Sequence, residues 1–222
     1  MQSTAYKNQS GIISPAEIAG KSFCIVGAGA IGSYLVGTLA KMGAKDITVF
    51  DFDTVEEHNV ANQMYGPLQT GKKKVDALKE LVFEGSEVEI FAAGGKFLVN
   101  EIGADFIVSC VDNMATRKEI FQSIADGFMP CKYLVDGRMG AQFMRTYCID
   151  ASNKNALDFY AKTLYDDAQA LQDRCTEKSI IYTGLIVAGL MLNMIKRAVN
   201  NEPGPIEEVF DCVTSTHVAT RI

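Results

Sequence analysis

The sequence has no tryptophan, only two histidines, and no pair of cysteines in the C-x-x-C spacing. Its six cysteines stand singly at positions 24, 110, 131, 148, 175 and 212. A tetrahedral zinc site draws on such pairs or on clustered Cys and His, so no zinc is expected. Four of these cysteines, Cys24 and Cys110 included, fall in apolar, strand-like runs, where a reduced thiol behaves as a small hydrophobe. That usage points to a reducing, cytoplasmic compartment. Basic charge is also scarce: 21 Lys and Arg stand against 27 Asp and Glu, a formal net charge of −6. Proteins that grip a phosphate backbone usually show a basic face, so nucleic acid is not an expected partner. The N-terminus lacks the basic and apolar regions of a secretory signal. The longest apolar run, 180–195, is interrupted by Tyr182, Thr183 and Asn193 and falls short of the ~20 residues that span a bilayer. A buried helix is expected there, and no membrane partner.

What is present is an alternation of short apolar runs with helical patterns. "KSFCIVGAGAIGSYLVGTLAKMGAKDITVFD" reads as strand, tight glycine turn, helix and strand, with Gly43 suited to a left-handed helix cap. The pattern continues with a helix from Lys73 to about Phe83 and a strand Val88 to Phe91. A short helix near Phe97 to Ile102, a strand Phe106 to Ser109, a helix Ala115 to Ala125 and a strand Tyr133 to Val135 follow. Parallel strands need crossover helices, so this alternation predicts an α/β fold: a Rossmann-like open, mostly parallel sheet with helices on both faces. After Gly140 the pattern changes. "AQFMRTYCID" reads as a strand, Asn155 to Leu171 and Ile180 to Val199 as helices, and "IEEVFDCVT" as an edge strand. The expected organisation is one domain over 1–222, with a nucleotide-binding core at 21–140 and a C-terminal strand and helix extension at 141–222.

"GAGAIG", Gly27 to Gly32, fits G-x-G-x-x-G after a strand and before a helix, with Asp51 closing the next strand. Gly27, Gly29 and Gly32 permit a tight turn and close backbone approach, the helix N-terminus favours a phosphate, and Asp51 can accept from ribose hydroxyls. NAD and ATP both offer a ribose and phosphates, so the motif alone leaves the choice open. The next residues favour ATP. "DFDTVEEHNVANQ" runs from Asp51 and Asp53 to Asn59, Asn62 and Gln63, and leads to Lys72, Lys73 and Lys74 at a helix start. Three lysines there oppose the macrodipole, which polyphosphate would justify; the competing reading is a solvated cluster. Further on, "SCVDNMATR" ends the fourth strand at the ligand edge of the sheet. Asp112 can hold Mg2+ between phosphate oxygens and Asn113 can line the same crevice, or the pair can simply cap the following helix.

Together, "GAGAIG", "DFDTVEEHNVANQ", "TGKKKVDAL" and "SCVDNMATR" resemble the ThiF/MoeB family of ubiquitin-activating-like (E1-like) adenylyltransferases, over about Lys21 to Asp150. "RCTEKSIIYTGLIVAGLMLNMIK" is similar to the family's cysteine-bearing crossover and buried helix. The resemblance implies ATP and Mg2+ as ligands and a small ubiquitin-like or sulfur-carrier protein with a Gly-Gly C-terminus as partner. The partner's carboxylate would attack the α-phosphate, giving an acyl-adenylate and pyrophosphate, with possible transfer to a cysteine. Carried over, Gly27, Gly29 and Gly32 face the nucleotide, Asp51 the ribose, Asn59 and Gln63 the phosphate-side loop, Lys74 the phosphates and Asp112 the metal. Cys175, preceded by Arg174, is the candidate acceptor thiol, since basic neighbours and a helix N-terminus favour thiolate; the competing reading is a structural or incidental cysteine in the crossover. The family's habit of dimerising implies a homodimer through the N-terminal segment or the apolar C-terminal helix.

The sequence departs from the family where N-x-x-R-Q is usual: Asn62 replaces the arginine, and Asn8 in "AYKNQ" stands where another would reach a partner's site. Arg138 and Arg145 are candidate substitutes, against an ordinary acid-pairing role. The departure keeps two rivals in play: a non-catalytic relative that binds nucleotide for a structural or regulatory purpose, and a nicotinamide oxidoreductase, which the lysine and "SCVDN" segments do not support.

Overall fold

The computed structural model describes residues 6–95, 97, 103–165 and 180–222. Ahead of the first strand stands a short helix not among the expected elements, α1 (Pro15–Ala19). Ser14 caps it by accepting from the Glu17 N–H, Pro15 occupies its first turn, and Ile18 is fully buried. Ser-Pro followed by an acid is a helix-start signal. Strand β1 (Ser22–Val26) and strand β2 (Asp46–Phe50) run parallel and flank helix α2 (Gly32–Met42) in sequence. Gly43 closes α2 at φ 112°, the left-handed cap expected of it.

Helix α3 (Lys74–Ser86), strand β3 (Phe91–Ala93), strand β4 (Ala104–Ser109), helix α4 (Met114–Ala125) and strand β5 (Cys131–Gly140) complete the parallel half. Pairing of β3 with β2 starts only at Phe91 opposite Thr48, so the strand lies later than the expected Val88 to Phe91. The expected helix from Phe97 to Ile102 falls, apart from Phe97, outside the described residues.

The remaining elements are strand β6 (Phe143–Asp150), helices α5 (Lys154–Ala161) and α6 (Ile181–Val199), and strands β7 (Glu207–Asp211) and β8 (Thr216–Thr220). All eight strands form one sheet in the order β3-β2-β1-β4-β5-β6-β7-β8, with β6, β7 and β8 antiparallel. The segment expected to be an edge strand, β7, is therefore internal. "THVAT" folds back on it as β8 and takes the edge, a hairpin the alternation of that short polar run did not reveal. Helix α5 is shorter than the expected 155–171 helix, ending at Ala161 with Lys162 as cap.

Apolar side chains fill both faces of the sheet. One layer joins Ile18, Leu35, Leu78 and Met191 of α1, α2, α3 and α6; the other joins Ile120 of α4 and Tyr160 of α5 to Cys24, Ile107 and Leu134. Each fully buried aliphatic side chain of this kind contributes about 1.5–3 kcal/mol. Helix α6 buries Val187, Met191 and Ile195 at helical spacing and leaves Ile181, Tyr182 and Leu185 exposed.

Candidate functional site

The chain leaves β1 toward β2 on one side and returns to β4 on the other. Such a reversal opens a crevice at the carboxyl ends of the two central strands, where open α/β sheets bind ligands. The glycine loop lies there. Gly27 has φ 101°, and a Cβ on it would stand 2.6 Å from the Cys110 carbonyl oxygen at the end of β4. A Cβ on Gly32 would stand 1.9 Å from the Gly27 oxygen, so strand and helix meet only because both residues lack one. Gly29 differs: nothing lies within 4 Å of where its Cβ would be. That face of the loop is open to an incoming group.

Asp51 ties this loop to the next segment. Its Oδ2 accepts from the Ala28 N–H at 2.7 Å and its Oδ1 from the Asp53 N–H at 2.8 Å. The Tyr65 hydroxyl donates to the Ala28 carbonyl at 2.8 Å. Burial, and then the Asp51 charge, push the Tyr65 hydroxyl's pKa upward, so it stays a donor. Asp53 in turn holds Lys74, with Nζ to Oδ2 at 2.7 Å, and the Lys74 N–H donates to the Asp53 carbonyl. Lys74 is only 7% exposed. Lys72 pairs with Glu80, and the Lys73 Nζ donates to the Phe52 carbonyl. The lysine cluster thus has local acceptors besides any phosphate it meets.

The polar loop between is folded on itself. Asn59 is buried and its Oδ1 accepts from the Glu56 N–H, closing a one-turn 3-10 helix, Glu57–Asn59. The Asn62 N–H donates to the Asn59 carbonyl. Gln63 Oε1 is a buried acceptor without a hydrogen-bond donor among the described residues. Ser33, at the start of α2, accepts from the Met64 N–H and so fixes the loop over the helix N-terminus.

On the other side of the crevice, Asp112 is exposed and Asn113 caps α4, its Oδ1 accepting from the Thr116 N–H at 2.8 Å. Asn113 Nδ2 also donates to Asp112 Oδ1 at 3.3 Å. Beneath them is a buried network that the sequence motifs do not announce. Asp136, fully buried on β5, accepts from Arg117 Nε at 3.0 Å, from Arg138 Nε at 2.6 Å and from the Tyr160 hydroxyl at 3.0 Å. Burial opposes its charge, but the two guanidinium groups outweigh that and hold its carboxyl below the usual carboxylate range. Arg117 also donates to the carbonyls of Val111, Asn113 and Gly137. The legible signal was the pairing of "DNMATR" with an acid ending an otherwise apolar strand, "YLVD".

Arg138 lies in that network. Its other nitrogens donate to the Thr163 carbonyl and hydroxyl, and its guanidinium sits 4.5 Å from the Tyr147 ring centroid. It is an acid-pairing arginine here. Arg145, directly across the β5–β6 pairing, is half exposed and lies 3.5 Å from Glu207. Asn8 is exposed near the far end of α2, where neighbouring Gln9 donates to the Met42 carbonyl. Across an 11-residue helix, roughly 16 Å long, it does not reach its own chain's glycine loop. Cys175 lies outside the described residues.

The glycine loop, Asp51, Asp53 and Lys74 are thus linked by short contacts, while Asp112 and Asn113 follow β4, the strand next to β1, at the same carboxyl edge of the sheet. The open face at Gly29 and the helix N-terminus suit a phosphate, and Gln63 Oε1 suits a donor such as a hydroxyl or amino group. No three His, Cys, Asp or Glu side chains converge among the described residues. Magnesium in a nucleotide site requires only one or two carboxylates beside the phosphates, and exposed Asp112 can supply one.

The family model described as the ThiF family matches residues 15–212. The ubiquitin-like modifier-activating enzyme 5 of Culex quinquefasciatus is 33% identical over 122 residues, 47% of this chain and 31% of that protein. The SUMO-activating enzyme subunit 2 of Dictyostelium discoideum is 31% identical over 104 residues, 43% of this chain and 16% of that protein. The matched stretch is thus about a third of the first relative's length or less. Among solved structures, E. coli MccB with ATP superimposes with a TM-score of 0.77 at 14% identity, covering 99% of this chain and 72% of that one. This likeness establishes the fold.

Proposed function

For a chain that belongs to the ThiF family, we propose ATP-dependent adenylation of the C-terminal carboxylate of a small ubiquitin-like or sulfur-carrier protein. The observation that carries the reading is the contact chain from the glycine loop through Asp51 and Asp53 to Lys74, at the carboxyl edge of the sheet where Asp112 follows the neighbouring strand β4. Asp51 has lone pairs left for ribose hydroxyls. Lys74 brings a buried positive charge that Asp53 can share with a phosphate. Asp112 offers an exposed carboxylate to Mg2+, which would neutralise phosphate charge. One carboxylate oxygen of the carrier attacks the α-phosphorus, and pyrophosphate leaves with the displaced oxygen. That displacement requires alignment and charge neutralisation more than a protein base. The names of the relatives support a ubiquitin-like carrier, and a Gly-Gly end would be the slimmest tail to enter the crevice. Transfer of the acyl group to Cys175 is the proposed next step, the site is proposed to work in the cytoplasm, and a homodimer is proposed through the exposed Ile181, Tyr182 and Leu185 face of α6.

The test is carrier-dependent exchange of labelled pyrophosphate into ATP. Wild type should exchange, Asp112→Ala should lose exchange while remaining folded, and NAD should give no calorimetric response. Tight NAD binding without a response to ATP would end the adenylation reading. Cys175→Ala should exchange normally and fail to form a reducible carrier conjugate.

A second reading is favoured by Asn62 and Asn8, which stand where the family usually has arginines. A relative that binds nucleotide without turning it over would show ATP binding and no exchange with any carrier.

A further inference from the structure

We infer that Arg117, oriented by Asp136, is the positioning residue that sets Asp112 for the metal and phosphates; the inference rests on the adenylation reading of the crevice. Asp112 itself is exposed, and its side chain accepts one long hydrogen bond, 3.3 Å, from Asn113 Nδ2. What holds it in place is therefore the backbone on either side. Arg117 donates to the carbonyls of both flanking residues, Val111 and Asn113, and to Gly137 on the neighbouring strand. A planar guanidinium with five fixed donors can bridge three carbonyls at once; a lysine ammonium cannot reproduce that fork.

Arg117 is in turn not free to choose its pose. It is 5% exposed, and its Nε is bound to Asp136 Oδ1, while Asp136 Oδ2 is held by Arg138 and Tyr160. Arg138 extends the same network to the Thr163 carbonyl and hydroxyl beyond α5. Two guanidinium groups against one carboxylate leave the network with a net positive charge below the loop that carries Asp112. An acid in that loop is attracted toward it, and the Arg117 fork fixes where it stops. A contact in the crevice is thus set by a buried group that need not touch nucleotide.

The experiment uses Arg117→Lys and Arg117→Gln, which leave Asp136 paired with Arg138. Hydrogen exchange of the protein without nucleotide or metal should show faster exchange at the Thr116 N–H, which Asn113 caps, with the β1 amides unchanged. Calorimetry should show ATP binding in EDTA within about twofold of wild type, and a Mg2+ requirement for tight ATP binding raised about 10-fold in both variants. On an Asp112→Ala background, Arg117→Lys should add no further change to the Mg2+ requirement. Wild-type exchange at Thr116 and a wild-type Mg2+ requirement would overturn the inference, as would equal losses of ATP binding with and without Mg2+. Wild type that binds ATP in a Mg2+-dependent way yet performs no pyrophosphate exchange would sink the adenylation reading alone and leave the positioning result standing.

Discussion

Gly184 of α6 lies against Ala30 of the glycine loop so closely that a Cβ at 184 would stand 2.4 Å from the Ala30 carbonyl oxygen. The obstacle is backbone, which cannot swing aside as a side-chain end can. Helix α6, far along the sequence, therefore sets how close the C-terminal half comes to the nucleotide crevice.

Gly184→Ala should destabilise the fold by about 1–3 kcal/mol, the usual cost of overpacking, although alanine is by about 1 kcal/mol the better helix former. The control is Gly189→Ala on the same helix, where nothing lies within 4 Å of the new methyl. That change should stabilise by about 0.4–1 kcal/mol. Urea denaturation separates the two, and equal effects would mean that Ala30 gives way freely.

Asp136 predicts an acid dependence. Its folded pKa is depressed, so its contribution is present above the unfolded value of about 3.9 and is lost as pH falls through the folded value. Asp136→Asn leaves two buried guanidinium groups without their carboxylate and should cost about 3–5 kcal/mol at pH 7. The gap to wild type in urea should shrink as pH drops below about 4. A pH-independent gap would mean that the carboxylate charge contributes nothing.

Burial pushes the thiols of Cys24, Cys131 and Cys148 up to about 12, and raises that of Cys110 as well. At pH 8 only about one in 10,000 molecules of such a thiol is thiolate, the reactive form. Native protein treated with iodoacetamide should leave all four unmodified by peptide mapping, and urea should expose them together. Rapid native labelling of Cys24 would contradict its placement in β1.

The Asn62→Arg variant should raise pyrophosphate exchange by about 10-fold, or about 1.4 kcal/mol in the barrier, with little change in ATP affinity. An arginine fork can hold a phosphate bidentately and favours developing charge over the ground state. A change confined to ATP affinity would place residue 62 away from the reacting phosphorus. Loss of exchange on Arg138→Ala carries no such message, since Arg138 also holds Asp136 and Thr163.

The local sequence determined the βαβ entry, the glycine turn, Asp51 at the end of β2 and the cap at Asn113, because each follows from backbone demands a few residues apart. Gly27 and Gly32 are legible since only glycine fits where strand, turn and helix crowd together. The order of strands, the return of "THVAT" as the edge, and the engagement of Lys74 with Asp53 were decided by tertiary structure. The clearest case is Arg117, Asp136, Arg138 and Tyr160, which lie on three different elements. Sequence periodicity records which face of an element is buried, but not which buried charges will share that face. The low dielectric of the interior forces such charges to find one another only once α4 and α5 have closed on β5.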